Sequence, residues 1–168
     1  MRIGPAAGAH LTLEPLRYEY PGLVSASSDD WFDANWLVIC GTVQTADART
    51  WTFRDPCLLT SEALDLSRWL RRVSAGDVDP LTMFDELSRH AAAFTEPNLA
   101  FTLFARTGDH LVLRAHLSME SGPPWRSPDD EAYVEPYVVD LDVSSGDLEE
   151  AATTWERELD AFPVRGSL

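Results

Sequence analysis

The residues best equipped for chemistry in this chain are carboxylates. Asp140 and Asp142 lie in the run Tyr137 to Val143, whose alternation puts them on one strand face, opposite Leu141 and Val143. Two carboxylates so spaced suit a general acid and base, or a hard cation. They equally suit the solvated face of a one-sided strand. Asp29-Asp30-Trp31-Phe32-Asp33 is a second acidic run. It lacks the glycine-kinked spacing of a calcium loop and serves as well to cap the strand after it. Cys40 and Cys57 have no partner at a zinc-ligand spacing, and His10, His90, His110 and His116 do not combine by short spacing. His110 and His116 share a strand face but stand about 20 Å apart at ~3.3 Å per residue. No metal and no cofactor is expected. Cys40, in an apolar strand, reads as a small buried hydrophobe.

Composition narrows the chemistry further. The chain has 168 residues, 28 of them acidic against 13 basic, for a formal charge of −15. Every basic residue is Arg, so a lysine Schiff base and a Walker-type phosphate lysine are both excluded. No glycine-rich phosphate loop or nucleophile elbow is present. Such acidity does not suit a protein that grips nucleic acid, because phosphate contacts need cations. It suits a basic protein partner. Residues 129–160 hold 12 acidic residues and one Arg, a net of −11. In the last helix Glu149, Glu150, Glu156 and Asp160 fall off the Leu148–Ala152–Trp155–Leu159 stripe, so they join Asp140 and Asp142 as candidates for an exposed docking face. Trp125, in a Pro-rich loop, either covers the core edge or anchors a partner. With no apolar run long enough for a membrane span or a signal peptide, the expected location is cytoplasmic, without membrane contact.

The elements that must position these groups alternate between strands and helices. Residues 1–10 are read as a flexible tail and 11–165 as one globular domain. Leu11 to Tyr20 is strand-like, with a parity break near Pro15. Trp36 to Val43 is apolar on both sides, as in a strand covered on both faces. Thr50 to Arg54 pairs with it, and Asp55-Pro56 is expected to break that strand. Thr60 or Ser61 caps a helix with Leu66, Trp69, Leu70 and Val73 on one stripe, ended by Gly76. A shorter helix is expected from Pro80 to about His90, burying Leu81, Phe84 and Leu87. Leu99–Ala105 and Leu111–Met119 form the clearest hairpin, turning at Thr107-Gly108-Asp109. A last strand, Tyr137 to Val143, leads into the C-terminal helix, with Asp147 and Glu150 as its capping box. Hairpins separated by helices predict an α+β fold: a mainly antiparallel sheet of about six strands with two or three helices packed on it.

Several segments taken together resemble the WapI family of bacterial immunity proteins. They are Asp29-Asp30-Trp31-Phe32-Asp33-Ala34-Asn35-Trp36-Leu37, the run Trp51-Thr52-Phe53-Arg54-Asp55-Pro56-Cys57-Leu58-Leu59-Thr60, and Phe94-Thr95-Glu96-Pro97-Asn98-Leu99. Pro123-Pro124-Trp125 and Phe162-Pro163-Val164-Arg165 also fit, so the resemblance extends over roughly residues 10–165. It implies a non-enzymatic protein, made alongside a polymorphic toxin, that binds the cognate toxin's C-terminal domain and protects the producer. In the family's namesake system that domain is a tRNA-cleaving nuclease. The shared motifs start strands and turn the chain, so no binding residue is carried over from them. A nuclease presents a cationic surface, which an acidic protein can cover. The alternatives are a small carboxylate-dependent enzyme working from Asp140 and Asp142, or a regulatory binding module with another partner.

Overall fold

The computed structural model of the chain describes residues 1–23, 30–81, 91–126, 133 and 135–166. It is α+β, with eight strands in two antiparallel four-stranded sheets. The first sheet orders β1 (Arg2–Ile3), β2 (His10–Tyr18), β3 (Trp36–Gln44) and β4 (Thr50–Leu59). The second orders β5 (Ala92–Ala93), β6 (Leu99–Thr107), β7 (His110–Leu117) and β8 (Tyr137–Ser144). Three helices join them: α1 (Trp31–Asn35), α2 (Thr60–Ala75) and α3 (Ser145–Leu159). The antiparallel α+β expectation holds, but the strands divide between two sheets instead of forming one.

Each sheet is one-sided. In β3 the Leu37, Ile39 and Val43 side is fully buried, whereas Thr42 is exposed and Cys40 only half-buried. On this outer face Val38 is still 3% exposed, so the covering expected over both sides of β3 holds at its start and is lost toward Thr42; Cys40 sits there between Glu14 and Arg54. The fully buried thiol is Cys57, whose pKa is pushed up by burial. Gly41 is required by its cross-strand partner. A Cβ there would stand 2.1 Å from the Phe53 ring, which lies flat across it.

One hydrophobic core takes in the inner faces of both sheets and the stripes of α2 and α3. Leu66, Leu70 and Val73 of α2 meet Leu148, Ala152, Trp155 and Leu159 of α3. The Trp155 indole is 0% exposed and donates to the Ala63 carbonyl at 2.7 Å, so its polar handle is satisfied inside the core. Gly76 ends α2 in the left-handed conformation, φ +88°. The α3 capping box forms one turn earlier than expected, between Ser144 and Asp147. Hydrogen bonds from Ser144 hold the Asp147 carboxyl below its usual range.

Three local expectations are corrected. Residues 1–10 are no frayed tail: Arg2 and Ile3 pair with Thr12 and Leu11, Ile3 is 1% exposed, and the Met1 amine donates to Leu13 O at 2.7 Å. Burial of Met1 and Ile3 in a distant core overrides the small, flexible composition around them. Asp55-Pro56 does not break β4, which runs on to Leu59; Pro56 is tolerated because β4 is an edge strand and needs no donor on that side. The helix cap is consequently Leu59, whose N–H donates to Glu62 at 2.9 Å. The expected helix at Pro80 to His90 falls largely on residues 82–90, outside the described residues.

The sheets are tied together at β4. Trp51 donates its indole N–H to Ser121 O at 3.0 Å, in the single helical turn Met119–Ser121 that follows β7. Asn98 at the start of β6 donates to Asp55 at 2.8 Å. Burial, then the nearby Glu120, pushes the Asp55 carboxyl above its ordinary pKa.

Candidate functional site

The candidate carboxylates separate into three places. Asp140 and Asp142 lie on the exposed face of β8, as the alternation requires, with Val139, Leu141 and Val143 buried beneath. Asp140 accepts two hydrogen bonds from Arg114, its cross-strand partner, at 2.7 and 3.0 Å, and the same guanidinium covers the Phe104 ring at 3.7 Å. Asp142 lies 3.0 Å from His110 Nε2. Both stand in open solvent, without the enclosed, desolvated setting of a catalytic acid–base pair. Among the described residues no group of three His, Cys, Asp or Glu side chains is placed to hold a metal ion.

Glu149 and Glu156 face inward toward α2 instead. Arg71 forms ion pairs with both, reaching Glu156 at 2.7 Å. That bond holds the Glu156 carboxyl below its usual range. These two residues clamp α2 to α3 while their side chains stay 47% and 40% exposed. Asp160 is exposed at the C-terminal end of α3.

Glu150 joins Asp140 and Asp142 through a continuous seam. A groove of about 360 Å³ is lined by Ala9, Thr45, Asp47 and the start of β8, Tyr137 to Asp140. The next, about 330 Å³, continues along β8 past Asp142 to Ser144, with Pro5 opposite and Asp109 and Asp147 on its walls. A third, about 420 Å³, shares Asp147 and runs between β1 and α3 past Glu150 and Glu158. Asp47, Asp109, Asp147 and Glu158 thus extend the candidate set. Their signal in the sequence is faint, because hairpin tips and a helix start meet here only once both sheets are assembled. Cations meet several of these carboxylates: Arg114 bonds Asp140, Arg49 pairs with Asp47 and the Met1 amine with Glu158 at 2.6 Å, while Arg2 donates to Pro5 O and keeps its charge. Glu150 has no ion pair among the described residues. The seam's carboxylates without an Arg or amine partner among the described residues are Asp109, Asp142, Asp147 and Glu150, all exposed, and these carry its negative charge.

Trp125 stands beside Tyr137 at the start of β8 and covers the core edge, one of the two roles the sequence left open. It packs edge-on against Trp51 and Tyr137, with ring centroids 5.3 and 6.1 Å away, and shields the buried Trp51. It also keeps 44% of its own surface exposed, with the Arg49 guanidinium 5.3 Å from its ring. Of the acidic turn, Trp31 is buried and Phe32 exposed, while Asp29 lies outside the described residues. No helix among the described residues is long and apolar enough to cross a membrane.

The immunity protein WapI-like family matches residues 2–163, nearly the whole chain. No curated protein matches it significantly.

Proposed function

The chain belongs to the WapI-like family of immunity proteins, and from that premise we propose that it neutralises a cognate toxin domain, a basic nuclease, by covering its cationic surface with the acidic seam. The observation that carries this reading is the seam itself. Asp142, Asp147 and Glu150 line grooves along β8 and α3 with no Arg partner among the described residues, and Asp140 beside them is the one bonded by Arg114. A nuclease surface built to hold phosphates has the complementary charge. Long-range attraction between the two steers encounter and speeds association, and salt screens it. Inhibition then needs no chemistry from this chain: occupying the surface excludes the nucleic acid. The action is placed in the cytoplasm, on a protein and not on nucleic acid or membrane.

The test is to mix the purified chain with the C-terminal domain of the toxin encoded beside it. Stoichiometric complex formation with loss of nucleic-acid cleavage is expected. Cleavage that continues with the chain in excess contradicts the reading.

A further inference from the structure

Resting on that reading, we propose that the toxin docks by adding an extended, basic segment as a strand to the open edge of β8. The sheets have four edges. β1 and β5 are two residues each, and on the β5 side of β6 Leu81 donates to Leu103 O. β4 is interrupted by Pro56, which offers no donor to an added strand, and at its Trp51 end it meets the Met119–Ser121 turn. β8 is eight residues long, and among the described residues no backbone group outside β7 bonds to Tyr137–Val143. The grooves beside Tyr137–Asp140 and Asp142–Ser144 follow this edge, leaving room alongside it.

The register says which groups are on offer. The β6–β7 turn closes on the Thr107–His110 pair, so His110, Val112, Arg114 and His116 direct their N–H and C=O groups to β6. The residues between them bond β8. Carried across the register (Leu111↔Val143, Leu113↔Leu141, Ala115↔Val139), the alternation leaves Val138, Asp140 and Asp142 facing the open edge with their backbone groups. Strand addition uses such groups for affinity and alternate side chains for specificity.

Charge selects the occupant. An incoming strand places its side chains beside Asp140, already bonded by Arg114, and beside Asp142, which has only His110 next to it, so the position opposite Asp142 is where Lys or Arg is favoured and Asp or Glu is not. A second copy of this chain pairing β8 to β8 would bring the two sets of aspartates together, the device by which natural edges avoid self-association. Val138, 42% exposed, and Trp125 supply apolar contact at one end.

Backbone hydrogen exchange of the full chain, alone and with the C-terminal domain of the adjacently encoded toxin, tests this. Binding should newly protect the amides of Val138, Asp140 and Asp142. The variants Val138→Pro and Asp142→Pro remove a donor only from the open side, so the β7–β8 ladder survives while affinity falls at least tenfold. Tight binding with no new protection at these amides, or unchanged affinity in both folded proline variants, overturns the edge proposal and leaves the immunity reading standing. No binding by the unmodified chain overturns the immunity reading and this inference with it. Protection of the same amides by self-association without toxin overturns the choice of occupant.

Discussion

Asn35 and Arg165, 130 residues apart in the chain, are joined by reciprocal hydrogen bonds: Asn35 Nδ2 donates to Arg165 O at 2.9 Å, and Arg165 N–H donates to Asn35 Oδ1 at 2.8 Å. The asparagine is 0% exposed and treats the C-terminal segment as a strand would its neighbour. Its Nδ2 also donates to Trp31 O at 2.7 Å, so α1 and the C-terminal segment share one anchor. The Arg165 guanidinium then covers the Tyr18 ring at 3.3 Å and donates to the Tyr20 and Leu23 carbonyls. This gives a physical role to two segments, Asp33-Ala34-Asn35-Trp36 and Phe162-Pro163-Val164-Arg165, that are otherwise only a resemblance.

Asn35→Ala is therefore expected to destabilise the fold by about 1–3 kcal/mol, the cost of leaving buried backbone groups unpaired. Arg165→Ala keeps its own backbone bonds to Asn35 and loses the ring contact, about 0.5–1 kcal/mol, together with the partly solvated bonds to the Tyr20 and Leu23 carbonyls, so its loss should be the smaller. Denaturant titration of the two variants distinguishes them, and equal losses would show that the guanidinium, not the asparagine, is the anchor.

Trp155→Ala should cost on the order of 3–5 kcal/mol, since the side chain is fully enclosed between the helices. Trp155→Phe retains most of the apolar contact but leaves the Ala63 carbonyl without its donor. Its loss should be the smaller of the two by equilibrium unfolding.

Asp55 predicts an unusual pH dependence. Its folded-state pKa is raised by burial and then by Glu120, so ionising it disfavours the folded state. The penalty is absent below the unfolded-state value, grows as pH rises through the window between the two, and is fully present above the raised value. Asp55→Asn, which can still accept from Asn98, should stabilise the protein most at neutral pH. That advantage should shrink on acidification below the ordinary carboxylate range. A constant difference across this range in pH-dependent unfolding would place the effect elsewhere.

Glu150 and Glu156 belong to one helix and one charge run yet should respond differently to reversal. Glu156→Lys puts a cation opposite Arg71 and breaks the clamp between α2 and α3. Glu150→Lys meets no such partner. Thermal unfolding should fall for the first and stay near the parent for the second. The loss is modest, because partly exposed pairs contribute about 0–1 kcal/mol each.

What could be read from the sequence was local. The Leu99–Leu117 hairpin follows from alternation around Gly108, and the burial of Trp155 from helical spacing, because neighbours in sequence carry both signals. The N-terminal strand was not legible: Met1 and Ile3 are buried only by contact with residues far along the chain, in β2 and α3. The joining of the two sheets rests on Trp51 reaching Ser121 and Asn98 reaching Asp55, long-range bonds that no periodicity reports. The candidate site divided the same way. Helical spacing correctly takes Glu149, Glu150, Glu156 and Asp160 off the apolar stripe. It does not reveal that Arg71, 78 residues before Glu149 and 85 before Glu156, claims two of them.

The most direct test of the acidic seam is the association rate with the adjacently encoded toxin domain, for the parent chain and for Asp140→Lys/Asp142→Lys/Glu150→Lys, at low and high ionic strength. If the seam steers the encounter, the triple variant associates about tenfold or more slowly at low salt, and the gap closes at high salt as screening removes the advantage of the parent. Equal association rates at low salt would contradict the account and place the contact surface away from β8 and α3.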